Sequence, residues 1–268
     1  MIHLFQSALF QTNAAIIETE DLLLVVDPNW LPAEVENIRR QVENIRRNRP
    51  VFLLFTHSDY DHIIACKAFE NVTTIASAAF VQNKDKNKVL KQIRQFDDSY
   101  YIRRDYPILY PSIDYVVEKD GQTLQVGNTE LIFYLAPGHN PDGIITYVQP
   151  GGYLVAGDYL CEVEFPYIYH SSTEYEATLD KFGLILQEKA ISLLIPGHGT
   201  TTTDTGEIYQ RLNTSRRYIT DLRHHVLAGT NFDTAALLKQ YQFPVIQRKF
   251  HVANIRLLQQ ELKNKKGE

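Results

Sequence analysis

Within six residues, His57-Ser58-Asp59-Tyr60-Asp61-His62, the chain places four side chains that bind divalent metals through imidazole nitrogen or carboxylate oxygen. The run follows VFLLFT (51–56), a short continuous apolar stretch of the kind shown by a strand covered on both faces. A strand therefore delivers His57 at its C-terminal end, where α/β sheets place their ligand sites. Three further candidates repeat this arrangement. His139 in APGHNPDG, Asp158 in VAGDYL and His198 in IPGHG each follow an apolar strand and sit at a Gly-containing turn. A lone His or Asp at such a turn is a cap or turn former. As a set they read differently: four of the nine histidines fall in these motifs beside three aspartates. Neighbouring strand ends converge, so loops of this kind bring distant residues to one point.

The rest of the chain supplies the layers such a site needs. Ala14 to Asp27 reads as a hairpin, with apolar AAII and LLLVVD separated by ETED, and it ends in an Asp. Leu31 to Arg47 has helical spacing after Pro32. Beyond the His-rich run come a helix near 60–69, a strand VTTIA (72–76), a polar helix near 77–95 and a long irregular Tyr/Arg-rich loop through 99–110. The second half opens with strands around Lys119-Asp120-Gly121, then TLQV, TELIFYL, GIITYV and GYLVAGD. A helix near 173–189 and the strand ISLLIPG precede a helical stretch running almost to the end. These elements predict an α/β protein, an αβ/βα four-layer sandwich of two mixed β-sheets with helices on the outside. The expected division is a main domain over 1–228 and a C-terminal helical extension, 229–268, packed on the same domain. The amphipathic spacing of that extension also admits a homodimer contact.

Composition narrows the classes further. At 268 residues and 44% hydrophobic, the chain has room for one large core. Two cysteines, Cys66 and Cys161, are too few for a disulfide framework and wrongly spaced for a thiolate zinc site, so free thiols are expected. A net charge of -5 with scattered Lys and Arg argues against an extended nucleic-acid surface. The lysines concentrated in 84–91 and 263–266 read as solvated faces. No window approaches the roughly 18–20 apolar residues of a membrane span, and the N-terminus lacks a basic segment followed by an apolar one, so no membrane contact and a cytoplasmic location are expected.

THSDYDH, PGHNPDG, AGDYL and PGHG, in that order, resemble the metallo-β-lactamase superfamily over about residues 10 to 200. The resemblance implies the metallo-β-lactamase fold and a dinuclear centre of zinc, manganese or iron. It assigns His57, Asp59 and His139 to one metal and Asp61, His62 and His198 to the other. Asp158 matches the family's bridging carboxylate, and Asp27 an acidic position that supports the site from behind. The departure is Asp59, where the common pattern has a second His. An anionic oxygen there favours harder ions such as manganese or ferrous iron over zinc. A similar His-x-Asp-x-Asp-His run is familiar in hydrolase-like domains of bacterial DNA-uptake channel proteins. The opposite consequence, a weakened first site, stays open.

The implied activity is hydrolysis of a small ester, lactone, thioester or phosphodiester by a metal-bridging hydroxide, with Asp61 as both ligand and catalytic residue. Two other classes compete: a di-iron redox protein on the same scaffold, and a non-catalytic binding protein with a degraded site. The partner is a small-molecule substrate. The Tyr/Arg-rich loop and the stretch 162–172 are the expected pocket walls, with Tyr60, Tyr100, Arg103, Tyr106 and His170 as candidate substrate contacts through stacking or ion pairing.

Overall fold

The computed structural model describes residues 1–267. Residue 268 and the side chains of 265–268, part of the lysine-rich end of the predicted extension, lie outside the described residues. Among the described residues, eleven strands form two mixed sheets. The first holds β1 (Ile2–Gln6), β2 (Asn13–Glu18), β3 (Leu23–Val26), β4 (Val51–Leu54), β5 (Thr73–Ser77) and β6 (Tyr115–Val117), side by side in chain order. β1, β2 and β3 pair antiparallel, and β3 through β6 pair parallel. The second comprises β7 (Gln122–Val126), β8 (Thr129–Leu135), β9 (Ile144–Gln149), β10 (Tyr153–Gly157) and β11 (Leu193–Pro196), in the order β11-β10-β9-β8-β7. Only its β10–β11 pair is parallel.

Alternation of side chains along each strand builds three apolar layers. In β2 and β3, Ala15, Ile17, Leu24 and Val26 face the second sheet and meet Leu131, Phe133, Val148 and Val155. Their neighbours Ala14, Ile16, Leu23 and Val25 point outward beneath α1 (Pro32–Arg46), which contributes Val35, Ile38 and Val42, and α4 (Lys86–Ser99), which contributes Val89, Leu90 and Ile93. Outside the second sheet, α5 (Ser172–Glu188), α6 (Thr205–Ala228), α7 (Thr234–Leu238) and α8 (Pro244–Gly267) close the other face with Tyr175, Phe182, Leu212, Ile219, Leu238 and Leu258. The result is helix, sheet, sheet, helix, which is the predicted sandwich.

Several local expectations change. β1 was not anticipated, because IHLFQ is too short and mixed to announce itself, and pairing with β2 organises it. The helix expected over 60–69 is only α2 (Tyr60–Ile63) and a 3-10 turn (Cys66–Ala68). The helix expected over 77–95 divides into α3 (Ala78–Val81) and α4, with Ser77 capping α3 by accepting from the Phe80 N–H. Lys119-Asp120-Gly121 is a turn, with Gly121 at φ 72, and the strand nearby is β6, which joins the first sheet instead of the second. A period-two pattern cannot say which sheet a strand joins.

Both cysteines are free thiols. Burial pushes the Cys66 thiol up to about 11, the neighbouring Lys67 opposing it only in part. At pH 8 the thiolate is then on the order of a thousandth of the population. In a Cys161→Ser background, native protein at pH 8 should leave Cys66 unmodified by an aromatic disulfide reagent on a timescale where the unfolded chain reacts fully. Equal rates before and after denaturation would contradict this. No helix among the described residues is long and apolar enough to cross a membrane.

Candidate metal centre

Five strands end on one side of the sandwich, and the loop after each carries a candidate residue: Asp27 after β3, His57 to His62 after β4, His139 after β8, Asp158 after β10 and His198 after β11. Backbone bonds tie the two sheets together at this end. Ile144 N–H donates to Thr56 O (2.8 Å) and Asn13 N–H to Gly197 O (2.7 Å), while within the second sheet Gly197 N–H donates to Gly157 O (2.6 Å) and joins the ends of β10 and β11. The Pro-Gly-His turns have a steric cause. Gly138 sits at φ 129 with a would-be Cβ only 2.3 Å from the Tyr175 Cα, and a Cβ at Gly197 would lie 2.2 Å from the Asp158 carboxylate. Only glycine lets these loops pass so close to α5 and to the site.

Two groups of side chains offer donor atoms within 4.8 Å of one another: His57, Asp59, His139 and Asp158, and Asp61, His62 and His198. Asp158 lies between them. One of its oxygens is 3.2 Å from His62 Nε2, and the other is 3.5 Å from His57 Nε2 and 3.3 Å from both His139 Nε2 and His198 Nε2. A fourth carboxylate, Glu164, comes within 4.8 Å of donors on Asp158 and His198.

Every imidazole is held from behind through Nδ1. His62 Nδ1 donates to Asp27 Oδ2 (2.9 Å). His57 Nδ1 lies 3.0 Å from Thr56 Oγ1, whose hydroxyl donates to the same Asp27 oxygen (2.5 Å), while Asp27 Oδ1 accepts from Thr56 N–H (2.8 Å). His139 Nδ1 donates to Tyr167 O (2.7 Å) and His198 Nδ1 to Phe10 O (3.0 Å). With Nδ1 anchored in this way, each ring turns Nε2 into the cluster. Such backing is the usual support of a metal-bound histidine.

Electrostatics favour a cation in this space. At His139 and His198 burial disfavours the charged ring, yet the carboxylates outweigh it: Asp59 and Asp158 hold His139 up at about 9, and Asp158 and Glu164 hold His198 up at about 10. His62 is raised well above its ordinary value by Asp158, Asp61 and Asp27 against the same burial. Asp59, despite burial, is held at about 2 by its bond with His139 and the charge of His57. For Asp61 burial wins over His62 and His198, and its carboxyl is raised. The fit to metal is visible in the polar atoms. His57 Nε2, His62 Nε2 and Asp158 Oδ1 are buried and have no hydrogen-bond partner, which is costly unless an ion supplies one.

The Metallo-beta-lactamase superfamily profile matches residues 8–221, four-fifths of the chain and all of these loops. The chain belongs to the metallo-β-lactamase superfamily. A metallo-β-lactamase family protein from Thermus thermophilus superposes with TM-score 0.66 at 15% identity, covering 98% of this chain and 93% of that one. The sec-alkylsulfatase Pisa1 from Pseudomonas sp. gives TM-score 0.63 at 16% identity over 93% of this chain, a match that spans 47% of the sulfatase's length. ETHE1 from Myxococcus xanthus gives 0.54 at 16% identity, covering 81% and 84% of the two chains. At these identities the likeness speaks for the fold. No curated protein matches the sequence.

Within this superfamily member, the four candidate contacts expected from outside the metal run do not line the cavity over the cluster. Tyr106 is buried in the core of the first sheet, where its hydroxyl accepts from Arg104. Tyr100 is 66% exposed and packs on Phe96. Arg103 is exposed, and the Arg104 beside it is spent on Asp97 and on Trp30 O. His170 is exposed and pairs with Glu174 (2.8 Å). The loop folds back on α1 and α4, held by the buried Tyr106 and by the pairs Arg104–Asp97 and Asp105–Arg39. Tyr60 does line the cavity over the cluster, with Phe10, Glu164, Tyr167, Tyr169, Ile246 and Phe250. Glu164 and the two α8 residues were missed. Glu164 lies in the 162–172 stretch read as a pocket wall, but a single Glu beside Asp158 carries no spacing signal. α8 reaches the site by packing: Phe250 stacks on Tyr167 (4.0 Å), and Asn254 accepts from Ile168 N–H and donates to Pro166 O.

Proposed function

We propose that the chain is a hydrolase that uses a pair of divalent metal ions to cleave a small ester, lactone, thioester or phosphodiester. The observation that carries this reading is the convergence of four Nδ1-anchored imidazoles and three carboxylates on one buried point, with inward atoms that have no protein partner. His57, Asp59 and His139 would hold one ion, Asp61, His62 and His198 the other, and Asp158 would face both. When bound, such a pair supplies Lewis acidity that lowers the pKa of water and polarises the scissile bond.

The chain's own residues do the rest. Asp27, directly and through Thr56, keeps two rings in one tautomer. Asp61 accepts no hydrogen bond from a described side chain or backbone group, so one of its oxygens is free to take up and orient a proton of the attacking water. Phe10, Tyr60, Tyr167, Tyr169 and Phe250 form an aromatic rim over the cluster through which a substrate must approach.

The test is loading of metal-free protein with manganese, ferrous iron or zinc, followed by elemental analysis and a panel of neutral esters, a lactone, a thioester and a phosphodiester. About two ions per chain together with turnover that a chelator abolishes is the expected result. No more than trace metal, or full loading without cleavage of any substrate class, would overturn the proposal.

A further inference from the structure

The cavity over the cluster is about 130 Å³. That is close to the ~150 Å³ of an apolar cavity able to take up a single benzene. Its floor is the cluster itself, with Asp59, Asp61, Asp158 and Glu164. Its walls are aromatic or aliphatic: Phe10 from the β1–β2 turn, Tyr60 from α2, Tyr167 and Tyr169 from the loop before α5, and Ile246 and Phe250 from α8. The rings brace one another, with Tyr167 4.2 Å from Tyr169 and Tyr169 5.0 Å from the His139 ring. No Lys or Arg is among the described residues lining it. Asp59, Asp61, Asp158 and Glu164 would balance two divalent cations held there, which would leave no positive charge for an anionic group on the ligand. Burying such a group here without a partner would be costly.

We propose that this cavity selects a neutral substrate arm, an aryl or short alkyl group attached to an ester, lactone or thioester, gripped by Tyr60, Tyr167, Tyr169, Ile246 and Phe250. The inference rests on the hydrolase reading for its chemistry and on the wall for its selectivity, and it disfavours phosphodiesters and substrates bearing a free carboxylate. Because Ile246 and Phe250 lie on α8, the C-terminal helix sets specificity.

Two ketones that share one skeleton test the wall without chemistry. Benzylacetone ends in a phenyl ring where levulinate ends in a carboxylate. Trp30, the only tryptophan, packs 5.2 Å from Tyr60 and 5.6 Å from Phe10, so its fluorescence reports occupancy in the manganese-loaded protein. Benzylacetone should bind saturably and at least about tenfold more tightly than levulinate. Phe250→Ala should weaken benzylacetone by on the order of tenfold with metal content unchanged. Ile246 is partly exposed, so Ile246→Lys leaves the fold intact and adds the missing cation, and it should shift the preference toward levulinate. Equal binding of the two ketones, no saturable binding of benzylacetone, or indifference to both substitutions would overturn the inference. The matching esters, methyl hydrocinnamate and monomethyl succinate, separate it from the hydrolase reading. Discrimination between the ketones without cleavage of either ester sinks the hydrolase and leaves the wall. Cleavage of both esters at equal efficiency sinks the wall and leaves the hydrolase.

Discussion

Metal-loaded Asp61→Asn protein should lose turnover by about 10²–10⁴-fold, the range associated with a positioned proton-transfer group. Asp61 is 8% exposed, with one oxygen 3.5 Å from His62 Nε2 and 3.7 Å from His198 Nε2. The amide keeps its shape and removes its charge, so an anionic oxygen that ligates and accepts becomes a neutral group that can donate. The same change should leave the metal-free protein as stable as the parent or more so. Burial raises the Asp61 carboxyl because it disfavours the charged form there, and the amide removes that conflict. Activity with a saturating metal panel and thermal unfolding of the metal-free forms are the two measurements. Unchanged turnover in fully loaded Asp61→Asn protein would remove Asp61 from the mechanism.

Asp27→Ala should cost stability and metal together. One buried carboxylate accepts from Thr56 N–H, Thr56 Oγ1–H and His62 Nδ1–H, and Thr56 in turn holds His57. Its removal strands these groups in the interior. Breaking a buried pair of this kind costs about 3–5 kcal/mol, and losing the support behind a ligating histidine weakens metal binding by about 10–100-fold. Asp27→Asn retains the bulk and one acceptor, so it should fall between parent and Ala. Urea unfolding of the metal-free forms and competition for manganese with a chelator read the two effects apart. A loss below about 1 kcal/mol with unchanged affinity would mean that other contacts orient the rings.

These two residues also show where sequence reasoning reaches and where it stops. Asp61 stands out because it shares six residues with three other donors after an apolar run. Asp27 is visible as an acid at a strand end, but which histidine it meets is decided by the parallel pairing of β3 with β4. That pairing sets Asp27 beside Thr56 and brings His62 over both. Tyr167 and Phe10 back the other two rings through main-chain carbonyls, which every residue possesses, so their side chains carry no signal.

The sequence by itself determined the donor chemistry, the strands that present it and the layered fold. Apolar runs, glycines at tight passages and histidines at strand ends are local features whose physics acts within a few residues. The tertiary structure alone decided that Asp27 serves two rings, that Glu164 joins the cluster, that the Tyr/Arg-rich loop turns away to cover the first sheet, and that α8 walls the cavity. Each of these depends on contacts between residues far apart in the chain, set by sheet register and by which faces compete for burial, and a one-dimensional pattern does not encode that competition.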